Sequence, residues 1–486
     1  MKINFINEPL LEFANDKHIC PRFGIANFQA YDNQSSLFST KPKEIILGII
    51  GTQRNFEQFE KWISLCSDFI PERASHQPNL FPSFCGFNEY LGFNAKMVCN
   101  TNYFRPINDT DINKAIKEVQ NFKNFDEVKK RIASTYLTHI EFLSDNKNPD
   151  VIICILPDNL YNKILKQEKD ESADIEEKPQ NETEIEDIAL NFRSFLKANS
   201  MKYRVPLQLV KESSLSVEQT SEKSSLQDLA TRAWNFCTAL YYKAGGIPWK
   251  AQVKGSDNLT CFVGISFYHS LDKKTLQTSL AQVFDEQGKG VILRGSPVEI
   301  DKRDRQPHLT EEQAYELLKN AIKGYKDAEG TYPKRVVVHK SSKYTEQEKE
   351  GFFKAVEEEE ISTFDFVTIF ESDIRLFRIG NYPPLRGTCL ELTETQYLLY
   401  SKSSVDYYQT YAGLYIPQPI EIRIAELNSS PIQICEEVLA LTKMNWNKTQ
   451  FDGKIPITID CSRSVGKIMK YVKENEIPSK RYGFYM

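Results

Sequence analysis

Residues 44–51 read Glu44-Ile-Ile-Leu-Gly-Ile-Ile-Gly51, an apolar run bounded by glycine. This pattern predicts a strand that is buried on both faces, as in a parallel sheet. A helix is predicted at 55–68, and a largely helical segment at 111–144 precedes a second buried strand, Val151-Ile-Ile-Cys-Ile-Leu156. Strands that alternate with helices in this way predict a Rossmann-like α/β layer.

The second half of the chain predicts a further α/β unit. Its first strand is Thr260-Cys-Phe-Val-Gly-Ile-Ser-Phe-Tyr-His269, and Arg335-Val-Val-Val-His-Lys340 is a buried strand downstream. A helix at 310–327 opens with a Thr310-x-x-Gln313 capping pattern. We predict other helices at 188–202, 225–244, 432–444 and 464–474, and other strands near 279–285, 290–294 and 365–370.

Composition sets limits on the class of protein. The 486 residues suffice for two large domains, which we place at 1–250 and 251–486. The charge of 61 basic and 66 acidic residues, net −5, means that any nucleic-acid site must be local. The 10 cysteines form no C-x-x-C pair, which predicts reduced thiols in a cytoplasmic protein without a zinc site. We find neither a signal-peptide pattern nor an apolar run long enough to span a membrane.

One acidic segment interrupts the first half. Residues 167–187 hold ten acidic residues and two lysines, with few apolar side chains. This composition predicts a solvated surface loop. A weaker alternative is an acidic decoy that competes for a basic groove.

Three basic residues and an amide form a candidate anion site. Arg193 and Lys197 are four residues apart on a predicted helix and therefore share a face. Gln208 follows in an extended segment, and Lys243 lies in the last turn of the next helix. Together they could hold a terminal phosphate, because Arg and Lys donate charge-assisted hydrogen bonds. Taken singly, they also fit a solvated helix face and a lysine that offsets a helix dipole.

The order of the motifs resembles the junction between the MID and PIWI domains of Argonaute proteins. The resemblance rests on Phe192-Arg-Ser-Phe-Leu-Lys-Ala198, Val205-Pro-Leu-Gln208, Ala239-Leu-Tyr-Tyr-Lys-Ala-Gly-Gly-Ile-Pro-Trp-Lys250 and Phe262-Val-Gly-Ile-Ser266. It implies a Rossmann-like MID domain followed by an RNase H-like PIWI domain. It also implies that Arg193, Lys197, Gln208 and Lys243 hold the 5′ phosphate of a guide strand. A further pocket lysine of eukaryotic members is replaced by Ala239.

The two ends of the chain resemble short prokaryotic Argonautes, which lack the N and PAZ domains. The relevant stretches are Glu8-Pro-Leu-Leu-Glu-Phe-Ala14, Pro21-Arg-Phe-Gly-Ile25 and Arg481-Tyr-Gly-Phe-Tyr-Met486. In such proteins the C-terminal carboxylate enters the phosphate pocket, so Met486 is expected to supply it. A divalent cation such as Mg²⁺ would then separate carboxylate from phosphate, since it prefers hard oxygen ligands.

The resemblance also places serines where catalytic aspartates are expected. Ser266 and Ser341 stand at these two strand ends, and a last acidic or histidine ligand would fall near Arg463 or Ser464. Two-metal cleavage needs clustered carboxylates, so we expect no RNase H-type activity. His269 and His339 are interpreted as structural residues.

A site without catalysis can still hold a duplex through its backbone. Candidate backbone contacts are Lys250, Lys254, Lys340 and Lys343. The resemblance implies a guide RNA, a single-stranded DNA target and a partner protein that contains an APAZ region. That effector would carry an NAD-depleting TIR or sirtuin-like domain, or a nuclease, and would act in defence against plasmids or phage.

Three alternatives remain open from the sequence. An active guide-directed nuclease would need carboxylates that Ser266 and Ser341 do not supply. A stand-alone regulator or structural binding protein would use the pocket for no guide. An NAD-binding enzyme is disfavoured, because Gly48-Ile-Ile-Gly51 lacks the G-x-G-x-x-G spacing.

Overall fold

The structure is a computed structural model of the whole chain. It describes residues 1–33, 41–121, 125–162, 191–218, 226–252, 259–271, 275–283, 290–301, 304–381, 383–408, 411, 415–450, 453–473, 476 and 478–485. The predicted acidic loop at 167–187 lies outside these residues. No helix in the described part of the chain is long and apolar enough to cross a membrane.

Ten helices of eight residues or more organise the described chain. Several of them are capped at the N-terminus by a side chain that accepts a backbone N–H of the first turn. In the predicted capping box, the Thr310 side chain accepts the N–H of Gln313. The helices are α1 (Pro21–Phe28), α2 (Gln53–Ser67), α3 (Asp109–Asn121), α4 (Phe125–Lys147), α5 (Phe192–Ser200), α6 (Leu229–Lys243), α7 (Glu311–Glu329), α8 (Glu346–Glu358), α9 (Pro431–Leu441) and α10 (Ile457–Met469).

The described strands form three sheets. They are β1 (Lys2–Phe5), β2 (Leu11–Glu12), β3 (Lys17–His18), β4 (Glu44–Gly51), β5 (Lys96–Pro106), β6 (Val151–Leu156), β7 (Leu207–Lys211), β8 (Lys250–Ala251), β9 (Thr260–His269), β10 (Leu276–Val283), β11 (Gly290–Ile300), β12 (Pro307–His308), β13 (Arg335–Lys340), β14 (Thr363–Glu371), β15 (Thr388–Thr393), β16 (Gln396–Leu399) and β17 (Ile420–Glu426).

The first half contains a parallel four-stranded sheet in the order β5-β4-β6-β7. Its central strands are the two apolar runs, and β6 is buried along its whole length. Apolar side chains face helices on both sides, because the strands contribute to two separate cores. Gln208 lies beside Ile153 in the parallel ladder, which fixes the amide at this sheet's edge strand.

The second half contains a ten-stranded mixed sheet in the order β1-β15-β16-β17-β14-β13-β9-β10-β11-β12. Its centre is parallel, with β9 and β14 on either side of β13. Helices α7 and α8 cover one face. Helix α10 packs so closely on the other face that a Cβ at Gly264 would lie 2.1 Å from the Thr458 carbonyl oxygen.

The two halves share strands and a core. Strand β1 pairs with β15 in the ten-stranded sheet, and β8 joins β2 and β3 in a small sheet. One apolar core runs from Ile45 of β4 to Tyr485 near the C-terminus. The chain therefore passes between the two halves more than once. The predicted domain boundary between residues 250 and 251 stays a prediction.

Candidate functional site

The predicted basic residues lie on elements that meet at one end of the four-stranded sheet. Asn191 caps the N-terminus of α5, and its side chain accepts the Ser194 N–H at 2.9 Å. Helix α6 is capped by Asp228 and ends at Lys243, after which Gly245 turns the chain with a φ of 100°. A positive φ of this kind favours glycine, so the helix ends where the lysine reaches the sheet.

Two of the amines are deeply buried. Lys197 and Lys243 are only 3% and 2% exposed. The Lys243 ammonium donates a hydrogen bond to Oε1 of Gln208. The structure thus brings Lys243 and Gln208 together, although 35 residues separate them in sequence.

Arg193, Lys197 and Lys243 are close enough for their positive charges to affect one another's pKa. Burial lowers the pKa of the Lys197 amine well below its usual range, and Arg193 and Lys243 lower it further. Burial and Arg193 likewise hold the pKa of Lys243 well below its usual range. A positive field of this kind opposes protonation of the lysines and favours a negatively charged group beside them.

Arg193 differs from the lysines in its exposure. The residue as a whole is exposed, yet burial of its guanidinium lowers the pKa of that group, against the opposing effect of Tyr242 and Tyr161. Among the described residues no carboxylate forms an ion pair with it.

The C-terminal tail runs beside Lys243. A Cβ at Gly483 would lie 3.7 Å from the Lys243 Cα, and the rings of Tyr482 and Tyr242 are 6.0 Å apart. Met486 itself lies outside the described residues, so the prediction that its carboxylate enters the pocket stays a prediction.

The described side chains of this pocket do not fit Mg²⁺. They are three cations and one amide, whereas magnesium needs several oxygen ligands. The amide oxygen of Gln208 already accepts from Lys243. The predicted magnesium therefore depends on Met486 and on a bound phosphate, and no described residue supports it.

The two predicted catalytic positions are neighbours on adjacent strands. Ser341 follows β13 directly, and its N–H donates to the Ile265 carbonyl of β9 at 3.1 Å. The Ser266 Oγ, next along β9, lies 2.8 Å from the Ser279 Oγ. Ser279 in turn donates to the Ser462 carbonyl of α10 at 2.6 Å. The Ser266 hydroxyl is therefore held among neutral groups, the Ser279 hydroxyl and the Ser462 carbonyl.

His339, which is close to these serines, is held in the fold. His339 is fully buried, and its Nδ1 lies 2.9 Å from the Thr458 Oγ1. Burial and the charge of Arg335 lower the pKa of His339 to about 3, so the ring is neutral near pH 7. The described residues contain no group of three or more His, Cys, Asp or Glu that could hold a metal ion. The predicted lack of cleavage stays a prediction.

The four predicted backbone lysines have different environments. Lys343 is exposed, and Lys254 lies outside the described residues. Lys250 is 7% exposed, with its amine 4.5 Å from the centre of the Tyr31 ring. It therefore has little surface for a bound strand.

The prediction for Lys340 disagrees with the structure. Its amine is fully buried, forms an ion pair with Glu348 and donates to the Lys343 carbonyl at 2.8 Å. Burial lowers the pKa of Lys340 to about 8, although Glu348 acts in the opposite direction. The lysine holds α8 against the sheet and is not presented to a nucleic-acid backbone.

No protein-family profile and no curated protein matches the sequence. Solved structures do match over the whole chain. A Clostridium butyricum Argonaute bound to a guide DNA and a 19-mer target DNA is 16% identical, with a TM-score of 0.65 over 99% of this chain and 54% of that one. Drosophila Piwi is 12% identical, with a TM-score of 0.60 over 100% of this chain and 56% of that one.

A third match is a Marinitoga piezophila Argonaute in complex with a 5′-OH guide RNA. It is 12% identical, with a TM-score of 0.56 over 100% of this chain and 59% of that one. The chain thus spans a little over half the length of the structures that it matches. The predicted α/β architecture is confirmed: the chain has an Argonaute-like fold, with a Rossmann-like MID layer and an RNase H-like PIWI sheet.

Proposed function

We propose that the chain is the guide-binding subunit of a prokaryotic defence system, and that it holds the 5′ phosphate of a small guide. The observation that carries this proposal is the pair of buried amines, Lys197 and Lys243, of which Lys243 is bonded to Gln208 and both feel the charge of Arg193. Three cations around one amide match a terminal phosphate in charge and in hydrogen-bond donors.

The charge of the site favours a phosphate over a hydroxyl at the guide end. A 5′-OH guide occupies the Marinitoga protein, so a protein with this fold can hold a guide that lacks a 5′ phosphate. Here burial and the neighbouring positive charges lower the pKa values of Lys197 and Lys243, so these amines repel one another when protonated. A phosphate relieves this repulsion, whereas a neutral hydroxyl does not.

The guide then selects a target by base pairing. We propose an RNA guide and a single-stranded DNA target, as the resemblance implies, and the Clostridium protein holds a target DNA with its guide. The protein would recognise the duplex through its backbone. A divalent cation enters only if Met486 and the guide phosphate provide its ligands.

We further propose that the chain does not cut the target. The resemblance assigns the catalytic aspartate positions to Ser266 and Ser341, and the Ser266 hydroxyl is bonded to Ser279. Neutral hydroxyls are poor ligands for the two divalent ions that phosphodiester cleavage needs.

The defence activity would therefore come from a separate effector protein. We propose an APAZ-containing partner with an NAD-depleting TIR or sirtuin-like domain, or a nuclease, that is activated by target recognition against plasmids or phage. This part rests on the resemblance to short prokaryotic Argonautes alone. Co-purification of the chain with its partner tests it.

The guide-binding proposal is tested with one RNA sequence prepared with a 5′ phosphate and with a 5′ hydroxyl. We expect the purified chain to prefer the phosphate and then to capture complementary single-stranded DNA. Equal affinity for the two guides would refute the phosphate pocket. Cleavage of the target with Mg²⁺ or Mn²⁺ would refute the proposed inactivity and favour a guide-directed nuclease.

A further inference from the structure

Tyr471 links the second half of the chain to the helix that carries two of the pocket cations. It lies just after α10 and is 7% exposed, and its hydroxyl accepts the backbone N–H of Asn191 at 2.8 Å. Asn191 caps the N-terminus of α5, and 280 residues separate the two partners in sequence. The start of α5 is therefore bonded to a distant part of the chain.

Three other helices provide an acceptor for the corresponding N–H group locally. In α2, α7 and α8 the backbone N–H of the capping residue donates to the side chain three residues later. These side chains are Asn55, Gln313 and Glu348. In α5 that position holds Ser194, and the Asn191 N–H donates to Tyr471 instead. Because a helix N-terminus leaves such N–H groups without an intrahelical acceptor, Tyr471 supplies what the other three helices provide for themselves.

A second contact of Tyr471 restrains the same helix. The rings of Tyr471 and Phe195 meet edge to face, with centroids 5.8 Å apart and an interplanar angle of 86°. Asn191 and Phe195 are four residues apart and therefore lie one above the other on one face of α5. Tyr471 thus contacts this helix at two points one turn apart, which limits both the position of the helix and its rotation.

The pocket cations project from the other side of α5. Successive residues of a helix are about 100° apart around its axis, so Arg193 and Lys197 lie about 200° from Asn191 and Phe195. A rotation of the helix would therefore move both cations at once. The contacts of Tyr471 act on the pocket through the orientation of α5.

Charge repulsion in the pocket opposes this placement of α5. Burial and the charges of Arg193 and Lys243 lower the pKa of Lys197. Lys197 lies on α5 and Lys243 on α6, so their protonated amines repel each other across the two helices. A hydrogen bond that anchors the start of α5 acts against this repulsion.

We propose that Tyr471 is a positioning residue for guide binding. By anchoring α5, it holds Arg193 and Lys197 where they meet the 5′ phosphate. Donors that are already fixed bind a phosphate more tightly than mobile ones, because less conformational freedom is lost on binding. This inference rests on the proposed function, and it adds that the second half of the chain controls the affinity for the guide end.

The test compares Tyr471→Phe with the unmodified chain. Phenylalanine keeps the ring that meets Phe195 and removes only the hydroxyl that accepts the Asn191 N–H. Affinity is measured for one RNA sequence with a 5′ phosphate and with a 5′ hydroxyl, together with the melting temperature. The matched control is Tyr397→Phe, because Tyr397 is 4% exposed and its hydroxyl donates to the Glu394 carbonyl at 3.1 Å, in the hairpin of β15 and β16.

We expect Tyr471→Phe to lower the preference for the phosphorylated guide by about 2- to 10-fold, as for the loss of one net hydrogen bond. The control should keep the full preference. Adding Ser194→Gln to Tyr471→Phe should restore it, since a glutamine at this position can accept the Asn191 N–H, as Gln313 does for Thr310 in α7.

Two results would overturn this inference alone. The first is a folded Tyr471→Phe protein that keeps the full preference, which would make Tyr471 a purely structural residue. The second is a lost preference that Ser194→Gln does not restore, which would place the effect elsewhere than at the start of α5. An unmodified chain without any preference for the phosphate would instead overturn the proposed function.

Discussion

Replacing Lys243 with methionine should separate the stability of the empty protein from its affinity for guides. The substitution keeps an unbranched chain of similar length and removes a buried charge. The pKa of Lys243 is held well below its usual range by burial and Arg193. The unfolded chain therefore binds this proton more readily than the folded chain, and the stability contributed by this site rises as pH rises toward 10.5.

The magnitude follows from the contacts of Lys243. A hydrogen bond to a charged group contributes about 1.5–3 kcal/mol, which corresponds to an affinity loss of about 10- to 150-fold for a 5′-phosphorylated guide. A 5′-OH guide should lose far less. Binding of the phosphorylated guide should also weaken as pH rises above 7, because the bound phosphate requires protonated lysines while the phosphate itself stays doubly charged.

The assay is competition between phosphorylated and hydroxyl guides of one sequence, with thermal denaturation of the empty protein. Lys443→Met is the matched control, since Lys443 is also buried but donates to Glu8 at 2.9 Å. We expect the control to destabilise the empty protein and to keep the preference for phosphate. A Lys243→Met protein that still prefers the phosphate as strongly as the unmodified chain would refute the assignment of the pocket.

Three further predictions concern the remaining parts of the structure. Ser266→Asp with Ser341→Asp should lower stability without metal, because two carboxylates then share a partly buried space, and added Mn²⁺ should raise the melting temperature of that variant but not of the unmodified chain. Glu8→Gln leaves the buried cations of Arg386 and Lys443 uncompensated. It should lower the free energy of unfolding by about 3 kcal/mol, as measured by urea denaturation. Burial opposes ionisation of Glu8, but its partners hold its pKa below the usual 4.5, so its contribution is present above pH 4.5 and is lost as pH falls below that value. Gly264→Ala should lower the free energy of unfolding by about 1–3 kcal/mol or more, because its Cβ would lie 2.1 Å from the Thr458 carbonyl oxygen. An unchanged melting temperature would contradict the close packing of α10.

The central strands could be predicted because their signal is local. The runs at 44–51, 151–156, 260–269 and 335–340 form β4, β6, β9 and β13 with these same bounds. Strand β1 could not be predicted in this way. Its partner β15 begins at Thr388, and nothing near residues 2–5 signals that pairing.

Helix α10 shows tertiary structure overriding local preference. We predicted a helix at 464–474, whereas it spans Ile457–Met469. The first turn, Ile457-Thr-Ile459, contains β-branched residues that disfavour a helix. Packing on β9 at Gly264 favours the helix there, and that contact depends on two segments far apart in sequence.

The candidate pocket was predictable in composition but not in geometry. Helical spacing placed Arg193 and Lys197 on one face, yet the arginine is exposed and the lysine is buried. The error for Lys340 has the same origin, because its partner Glu348 comes from the next helix.

The most direct test of the central claim is to purify the chain from its native host and to sequence the nucleic acid and protein that accompany it. We expect short RNAs that carry a 5′ phosphate, together with an APAZ-containing partner. Recovery of the chain without short nucleic acid would contradict guide binding and would mean that this Argonaute-like fold serves another purpose.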